Sequence, residues 1–278
     1  QMPMRQAASS IPAMQEWLRD KTGRSSEGVD DWDTDVESLD TEVWQELTLQ
    51  GLLRPIEVDT KFEALRAQLI EARKEGLGQV MIFSFFRRTL QYLDDRLRDS
   101  FKTRVMHGGT RPADRQKVMD DFRAGHFDIL LVSEVGSEGL DFEFCNVLVN
   151  YDMPWNPMRV EQRIGRLDRF GQKHDKIFIY NMHVPGTIET DIFERLYTRL
   201  KLFESSIGEL EPILYDEWGD ALERFTKRVL DPQLTHSQRL AVADKMRLAL
   251  ENRRGDLKVL DDSRAILNSI EQLDVEGL

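Results

Sequence analysis

Between Gln162 and Gln172 the chain reads QRIGRLDRFGQ. On a helix, Gln162, Arg166 and Arg169 fall at i, i+4 and i+7 and share one face, while Arg163 turns to another. Gly165 carries no side chain, so a backbone or a ligand can approach that face closely. A guanidinium matches phosphate oxygens with a two-pronged fork and keeps its charge at physiological pH. Presented to a phosphoryl group in transfer, Arg166 and Arg169 would stabilise its developing negative charge, with Gln162 and Gly165 lining the same anion site. The bland alternative is a solvated basic face with ordinary ion pairs. Charge alone favours it, and the ordered series Gln-x-x-Gly-Arg-x-x-Arg-x-Gly-Gln favours the phosphate.

Two other segments hold residues of the same kind. His107-Gly108-Gly109 follows a short apolar run, and paired glycines let backbone N–H groups face a phosphate, although for this tripeptide alone an ordinary glycine turn is the preferred reading. VSEVGSEGLDF, Val132 to Phe142, continues a strand into a loop, and loops at the carboxyl ends of parallel strands are where open α/β sheets bind ligands. There Gly136 and Gly139 keep the loop tight, Ser133 can donate to a phosphate oxygen, and Asp141 can accept from a ribose hydroxyl. No G-x-x-x-x-G-K-[ST] loop and no D-E-x-H box is present to cradle phosphates or hold Mg²⁺. No Cys/His cluster has metal-ligand spacing, so the metal expectation is none.

Positioning these residues requires alternating strands and helices. QVMIF (79–83) reads as a buried strand, and 104–106, DILLV (128–132), 146–150 and 177–181 read as further strands. Between them the spacing predicts helices over 61–75, around Leu90, Leu93 and Leu97, over 111–124 with Pro112 in the first turn, and from Pro157 to about Arg169. Thr187 is placed to cap a further helix from Ile188 towards Phe203. The order implies an α/β fold, a parallel sheet flanked by helices, over residues 58–204. Residues 1–57 read as an acidic connector or helical insertion containing Trp32 and Trp44, and residues 205–278 as a helical extension with Phe225, Val229 and Met246 on apolar faces.

A net charge of −12 argues against nucleic acid until it is located. Residues 1–60 hold 5 basic against 13 acidic side chains and residues 205–278 hold 10 against 15, so the middle is close to neutral and can carry local basic patches. The single cysteine, Cys145, excludes an internal disulfide and fits a reducing, cytoplasmic setting; it reads as a buried residue, not a reactive thiol. No apolar run reaches the roughly 20 residues of a membrane span, and the first residues lack a secretory signal.

QRIGRLDRFGQ resembles the sixth motif of superfamily 2 helicases, and its Phe-Gly-Gln ending is similar to the Swi/Snf branch. Phe83-Ser84 resembles motif IV, His107-Gly108-Gly109 the segment after it, VSEVGSEGLDF motif V, and NYDMPWNP (150–157) the stretch before motif VI. RLKLFESSIGELEPIL (199–214) resembles bacterial members related to an RNA-polymerase-associated ATPase. The resemblance implies a RecA-like second lobe with Arg166 and Arg169 as catalytic arginine fingers and Gly139, Asp141, Gln162 and Gly165 at the nucleotide. It implies Ser84, His107, Gly108, Gly109, Ser133 and Trp155 towards nucleic acid, though Trp155 reads equally as a core residue. ATP and Mg²⁺ would be held mainly by a first RecA-like lobe, with double-stranded DNA or RNA, and RNA polymerase, as further partners. The implied function is the second ATPase lobe of a DNA-dependent translocase, inactive alone; the alternatives are a protein-interaction module docking on RNA polymerase and a lobe of an RNA helicase. Remodellers of this family usually place a basic residue at Glu134. An acid there would repel a phosphodiester, which makes Glu134 a subfamily trait.

Overall fold

A computed structural model describes residues 9–21, 58–137, 139–154, 157–185 and 233–249, with isolated positions at 56, 187, 190, 224–225, 228–229 and 252. The chain divides into two compact units, one of residues 1–153 with 163–187, the other of 154–162 with 188–278. Trp32, Trp44, Trp155 and most of 188–203 lie outside the described residues.

The first unit holds a five-stranded sheet, β1 (Val80–Phe83), β2 (Thr103–Met106), β3 (Ile129–Val132), β4 (Val147–Asn150) and β5 (Phe178–Asn181). Every pairing is parallel and the strand order is β2-β3-β1-β4-β5. The three central strands, VMIF, ILLV and VLVN, are buried throughout, as strands covered on both faces must be, while β2 and β5 at the edges are partly exposed. This is the parallel α/β architecture that the alternation implies, with each strand within about two residues of its expected span.

Among the described residues α2 (Thr60–Lys74), α3 (Arg87–Leu97) and α4 (Pro112–Arg123) alternate with the strands of this unit, and α6 (Pro157–Ile164) follows β4 in sequence, its residues 157–162 belonging to the second unit. A single turn, α5 (Glu134–Ser137), follows β3. Asp59 caps α2 by accepting from the Phe62 N–H at 3.1 Å, and Pro112 sits in the first turn of α4, where its missing N–H leaves no bond unmade. Phe62, Leu65 and Leu69 of α2 and Leu90, Leu93 and Leu97 of α3 pack with Val80, Ile82, Ile129, Leu131, Val147 and Val149 into one core. The opposite side chains of those strands, Met81, Phe83, Leu130, Val132 and Leu148, are equally inaccessible. Amide hydrogen exchange in this chain is therefore expected to be slowest in β1 and β3, and exchange there as fast as in β5 would show that the core is misassigned.

The acidic N-terminal segment contributes more than a connector. α1 (Ile11–Lys21) packs on α3, and the buried Ser9 and Thr89 hydroxyls lie 2.8 Å apart, so this part of residues 1–57 folds with the sheet. In the second unit a helix covers residues 236–249, with Ala243 and Met246 buried on one face, and Phe225 and Val229 are also buried.

The helix over 157–169 is shorter than its spacing implies. α6 stops at Ile164, and residues 165–171 form tight turns: Leu167 and Asp168 N–H both donate to the Ile164 carbonyl, and Arg169 N–H donates to Leu167. Gly165 is a weak helix former. The Arg166 carbonyl accepts instead from the Phe142 N–H, 2.8 Å away in a different loop. Arg166 and Arg169 consequently do not share a helical face with Gln162. The Thr187 hydroxyl donates to the Val184 carbonyl at 2.8 Å, and the helix that it is expected to cap lies mostly outside the described residues.

Candidate functional site

The parallel register brings Met106, Val132, Phe83, Asn150 and Asn181 into one row at the carboxyl edge of the sheet. The chain runs from β1 outward to β2, back to β3, then across β1 to β4, so the reversal of direction lies beside β1. That is where an open parallel sheet forms a crevice. The loops after β2 and β3 leave from this edge, and Arg163 reaches it through Asn150 Oδ1 and the Asp152 carbonyl.

After β3, Ser133 accepts from the Gly136 N–H at 3.2 Å and so caps α5 from its N-terminal side. Gly136 approaches the end of β2 so closely that a Cβ would stand 2.5 Å from the Met106 carbonyl oxygen and 2.8 Å from His107 Cα. Gly139 has φ +72°, a conformation that side chains disfavour. Both glycines thus do what a tight loop demands. Gly136→Ala is expected to lower stability by about 1–3 kcal/mol, because the clash is with backbone and no rotamer relieves it. A denaturant titration of this chain with an unchanged midpoint would show that the β2 end yields freely.

His107-Gly108-Gly109 forms a turn that satisfies itself. The Gly109 N–H donates to His107 Nδ1 at 3.0 Å, the His107 N–H donates to Thr110 Oγ1 at 3.1 Å, and neither glycine has positive φ. The expected row of N–H groups offered to a phosphate is corrected accordingly: two of the three are used within the turn. Arg115 of α4 closes it, donating to the carbonyls of Gly108 (2.7 Å), Thr110 (2.9 Å) and, more weakly, Val135 (3.4 Å). This clamp joins the turn to α5. Nothing in the local sequence distinguishes Arg115 from any other helical arginine.

Arg166 and Arg169 converge on the loop between α5 and β4. Arg166 Nη1 donates to the carbonyls of Ser137 (2.6 Å) and Leu140 (3.3 Å), and Arg169 pairs with Asp141. The structure therefore brings Gly139, Asp141, Arg166 and Arg169 together through the 137–141 loop and not through a common helix face. Gly165 contributes its carbonyl to Arg169 Nε at 3.1 Å, whereas Gln162 is exposed and belongs to the second compact unit. Gln172 fastens the end of the segment, donating to the Cys145 and Leu167 carbonyls at 3.0 and 2.9 Å. Phe170 is fully exposed.

Arg163 and Ser84 depart most from expectation. Arg163 is wholly buried, with Nε 2.5 Å from Glu134 and Nη1 2.7 Å from Asn150 Oδ1 and 3.0 Å from the Asp152 carbonyl. Its guanidinium lies 4.8 and 5.0 Å from the Phe83 and Phe85 ring centres. Ser84 is also fully buried, donating its hydroxyl to Asp152 at 2.5 Å and accepting from the Phe86 N–H. Its side chain offers no surface to a nucleic acid, so the expected contact gives way to a role in shaping the edge. Asp152 is held besides by the Phe85 N–H at 3.1 Å and by Lys61 at 3.6 Å. Cys145 is buried, donates to the Gln79 carbonyl, and has its thiol pushed up to about 12 by desolvation, consistent with an inert core residue.

Among the described residues no group of three His, Cys, Asp or Glu side chains is placed to hold a metal ion, and no helix is long and apolar enough to cross a membrane.

Residues 60–171 match the helicase conserved C-terminal domain. The chain is 40% identical over 147 residues to the uncharacterized ATP-dependent helicase YqhH of Bacillus subtilis, covering 53% of this chain and 26% of that protein. It is 34% identical over 167 residues to the RNA polymerase-associated protein RapA of Vibrio parahaemolyticus, covering 58% of this chain and 17% of that protein. Among solved structures, the C-terminal part of the Fun30 ATPase domain is similar at 22% identity and a TM-score of 0.46, over 77% of this chain and 73% of that one. The chain spans about a quarter or less of the length of these two curated relatives. The chain thus matches a helicase conserved C-terminal domain over residues 60–171, is built on a five-stranded parallel sheet, and is similar to ATP-dependent helicase and RNA polymerase-associated RapA proteins.

Proposed function

We propose that this chain is the second ATPase lobe of a nucleic-acid-dependent translocase, contributing Arg166 and Arg169 to the phosphates of an ATP held mainly by a first RecA-like lobe. The observation that carries the reading is the convergence of both arginines on the 137–141 loop, at the carboxyl edge where parallel sheets bind ligands. The Arg169–Asp141 pair is about half exposed (52% and 48%), and such pairs contribute only about 0–1 kcal/mol. Exchanging Asp141 for a phosphate is therefore inexpensive, and it leaves Asp141 able to accept from a ribose hydroxyl. Gly139, Gly165 and Gln162 complete the nucleotide side in this reading.

On the nucleic-acid side the reading keeps Ser133, the 107–109 turn and Trp155, with double-stranded DNA as the track. Lobe closure on ATP and reopening after hydrolysis would drive the stepping. ATP supplies the phosphoryl group whose charge the arginines meet. The chain's own work is to hold those two side chains in place. A second reading, docking on RNA polymerase, is supported by the likeness to RapA proteins and by the acidic flanks, and it is compatible with the first.

The reading is tested first by what the chain lacks. With no phosphate cradle in the sequence, the 278-residue chain by itself, with duplex DNA added, is expected to show no ATP turnover. A steady-state rate of about 1 s⁻¹ that copurifies with the chain would refute it. The full-length protein should hydrolyse ATP and lose that activity when Arg166 or Arg169 is replaced.

A further inference from the structure

Glu134 stands where an acid would be expected to repel a phosphodiester, yet its side chain does not face outward. It is 16% exposed and directed at Arg163, which is 0% exposed. A buried guanidinium without a carboxylate would be strongly unfavourable, so the two residues account for each other. Arg163 carries its remaining contacts to the end of β4, through Asn150 Oδ1 and the Asp152 carbonyl, and Asn150 in turn donates its Nδ2 to Asn181 Oδ1 at 2.8 Å at the end of β5. The charged pair therefore ties α5, after β3, to the ends of the strands on the other side of β1.

The same four-residue turn is fastened a second time. Glu134 opens α5 and Ser137 closes it; the first holds Arg163, and the carbonyl of the second receives Arg166 Nη1 at 2.6 Å. Arg163 and Arg166 are themselves joined, the Arg166 N–H donating to the Arg163 carbonyl at 3.3 Å. Two short segments are thus clamped side by side at two points. One point is a buried ion pair, and the other is an arginine assigned to the phosphate.

We infer that Glu134 and Arg163 are a positioning pair for Arg166, the buried ion pair setting where the Ser137 and Leu140 carbonyls, and hence the Arg166 guanidinium, are held. This rests on the reading of Arg166 given above. Groups preorganised for a transition state lose their value when displaced by as little as about 1 Å, with losses of up to about a hundredfold. Glu134 is in this sense not a lost DNA contact. It replaces an outward basic residue with an inward device for holding the nucleotide side.

The test uses the full-length protein carrying this chain, with ATP hydrolysis measured at saturating duplex DNA for Glu134→Gln, Arg166→Ala and the double variant. Glutamine keeps the shape of Glu134 and removes its charge. Glu134→Gln is expected to lower kcat by about tenfold to a hundredfold, with KM for ATP changed by less than about threefold. If Glu134 acts through Arg166, the double variant is no slower than Arg166→Ala alone. Independent, multiplicative losses, or normal turnover in Glu134→Gln while Arg166→Ala is slow, would overturn the inference and leave the assignment of Arg166 intact. Normal turnover in Arg166→Ala would overturn that assignment and the inference with it. Hydrogen exchange of Glu134→Gln in this chain separates positioning from folding: exchange should rise in 134–140 with β1 and β3 still protected, and a uniform rise across the sheet would show a merely structural pair.

Discussion

Arg166→Ala and Arg169→Ala in the full-length protein are each expected to reduce ATP turnover by at least about a hundredfold, with ATP affinity changed far less. Arginine fingers in other phosphoryl-transfer enzymes contribute on the order of 10³–10⁵ in rate, because their charge meets negative charge that develops only in the transition state. The two residues sit differently and need not contribute equally. Arg166 is held on the Ser137 and Leu140 carbonyls, whereas Arg169 must first exchange Asp141 for the phosphate. Lysine should rescue either position poorly, since an ammonium keeps the charge but loses the planar fork. Steady-state kinetics with duplex DNA decide the matter: a raised KM with unchanged kcat would mean that the arginines bind ground state and transition state alike, against a finger role.

Arg163→Ala is expected to act on stability before it acts on turnover. Helical spacing places Arg163 away from Arg166 and Arg169, which suggests a tolerant outer position, but the side chain is fully buried between strand ends. Its loss would leave Glu134 without its cation and the Asn150 and Asp152 oxygens without their donor. Breaking a buried pair in this way costs about 3–5 kcal/mol. In a domain of this size each kcal/mol shifts Tm by about 2–4 °C, so thermal unfolding of the 278-residue chain should begin on the order of 10 °C lower. Arg169→Ala, which removes a half-exposed pair, should leave Tm nearly unchanged and serves as the contrast. If Arg163→Ala melts like the parent, the buried network does not hold the sheet edge together.

The five strands, their helices and the family resemblance were all legible in the sequence, because each depends on short-range information. A run such as VMIF or ILLV declares a doubly covered strand by itself, and Leu90, Leu93 and Leu97 declare a buried helix face by their spacing alone. Gly136 and Gly139 were legible for the same reason, since a tight loop after a strand requires residues without a Cβ. The partners of the polar side chains were not. Helical periodicity carried the 157–169 helix past Ile164, whereas the bond from the Phe142 N–H to the Arg166 carbonyl, 24 residues away in sequence, marks where the chain leaves the helix. The 107–109 tripeptide read by itself as an ordinary glycine turn, but that His107 Nδ1 and Thr110 Oγ1 take two of its N–H groups emerged only from the folded turn. Ser84 and Arg163 read as surface chemistry, yet they meet Asp152 and Glu134 at separations of 68 and 29 residues. A buried charge or hydroxyl settles on whichever opposite group the packed sheet brings within about 3 Å, and that pairing exists only once β1, β3 and β4 are aligned. Residue types and order determined what this edge of the sheet could do; tertiary packing decided which of its side chains face a ligand and which hold the others in place.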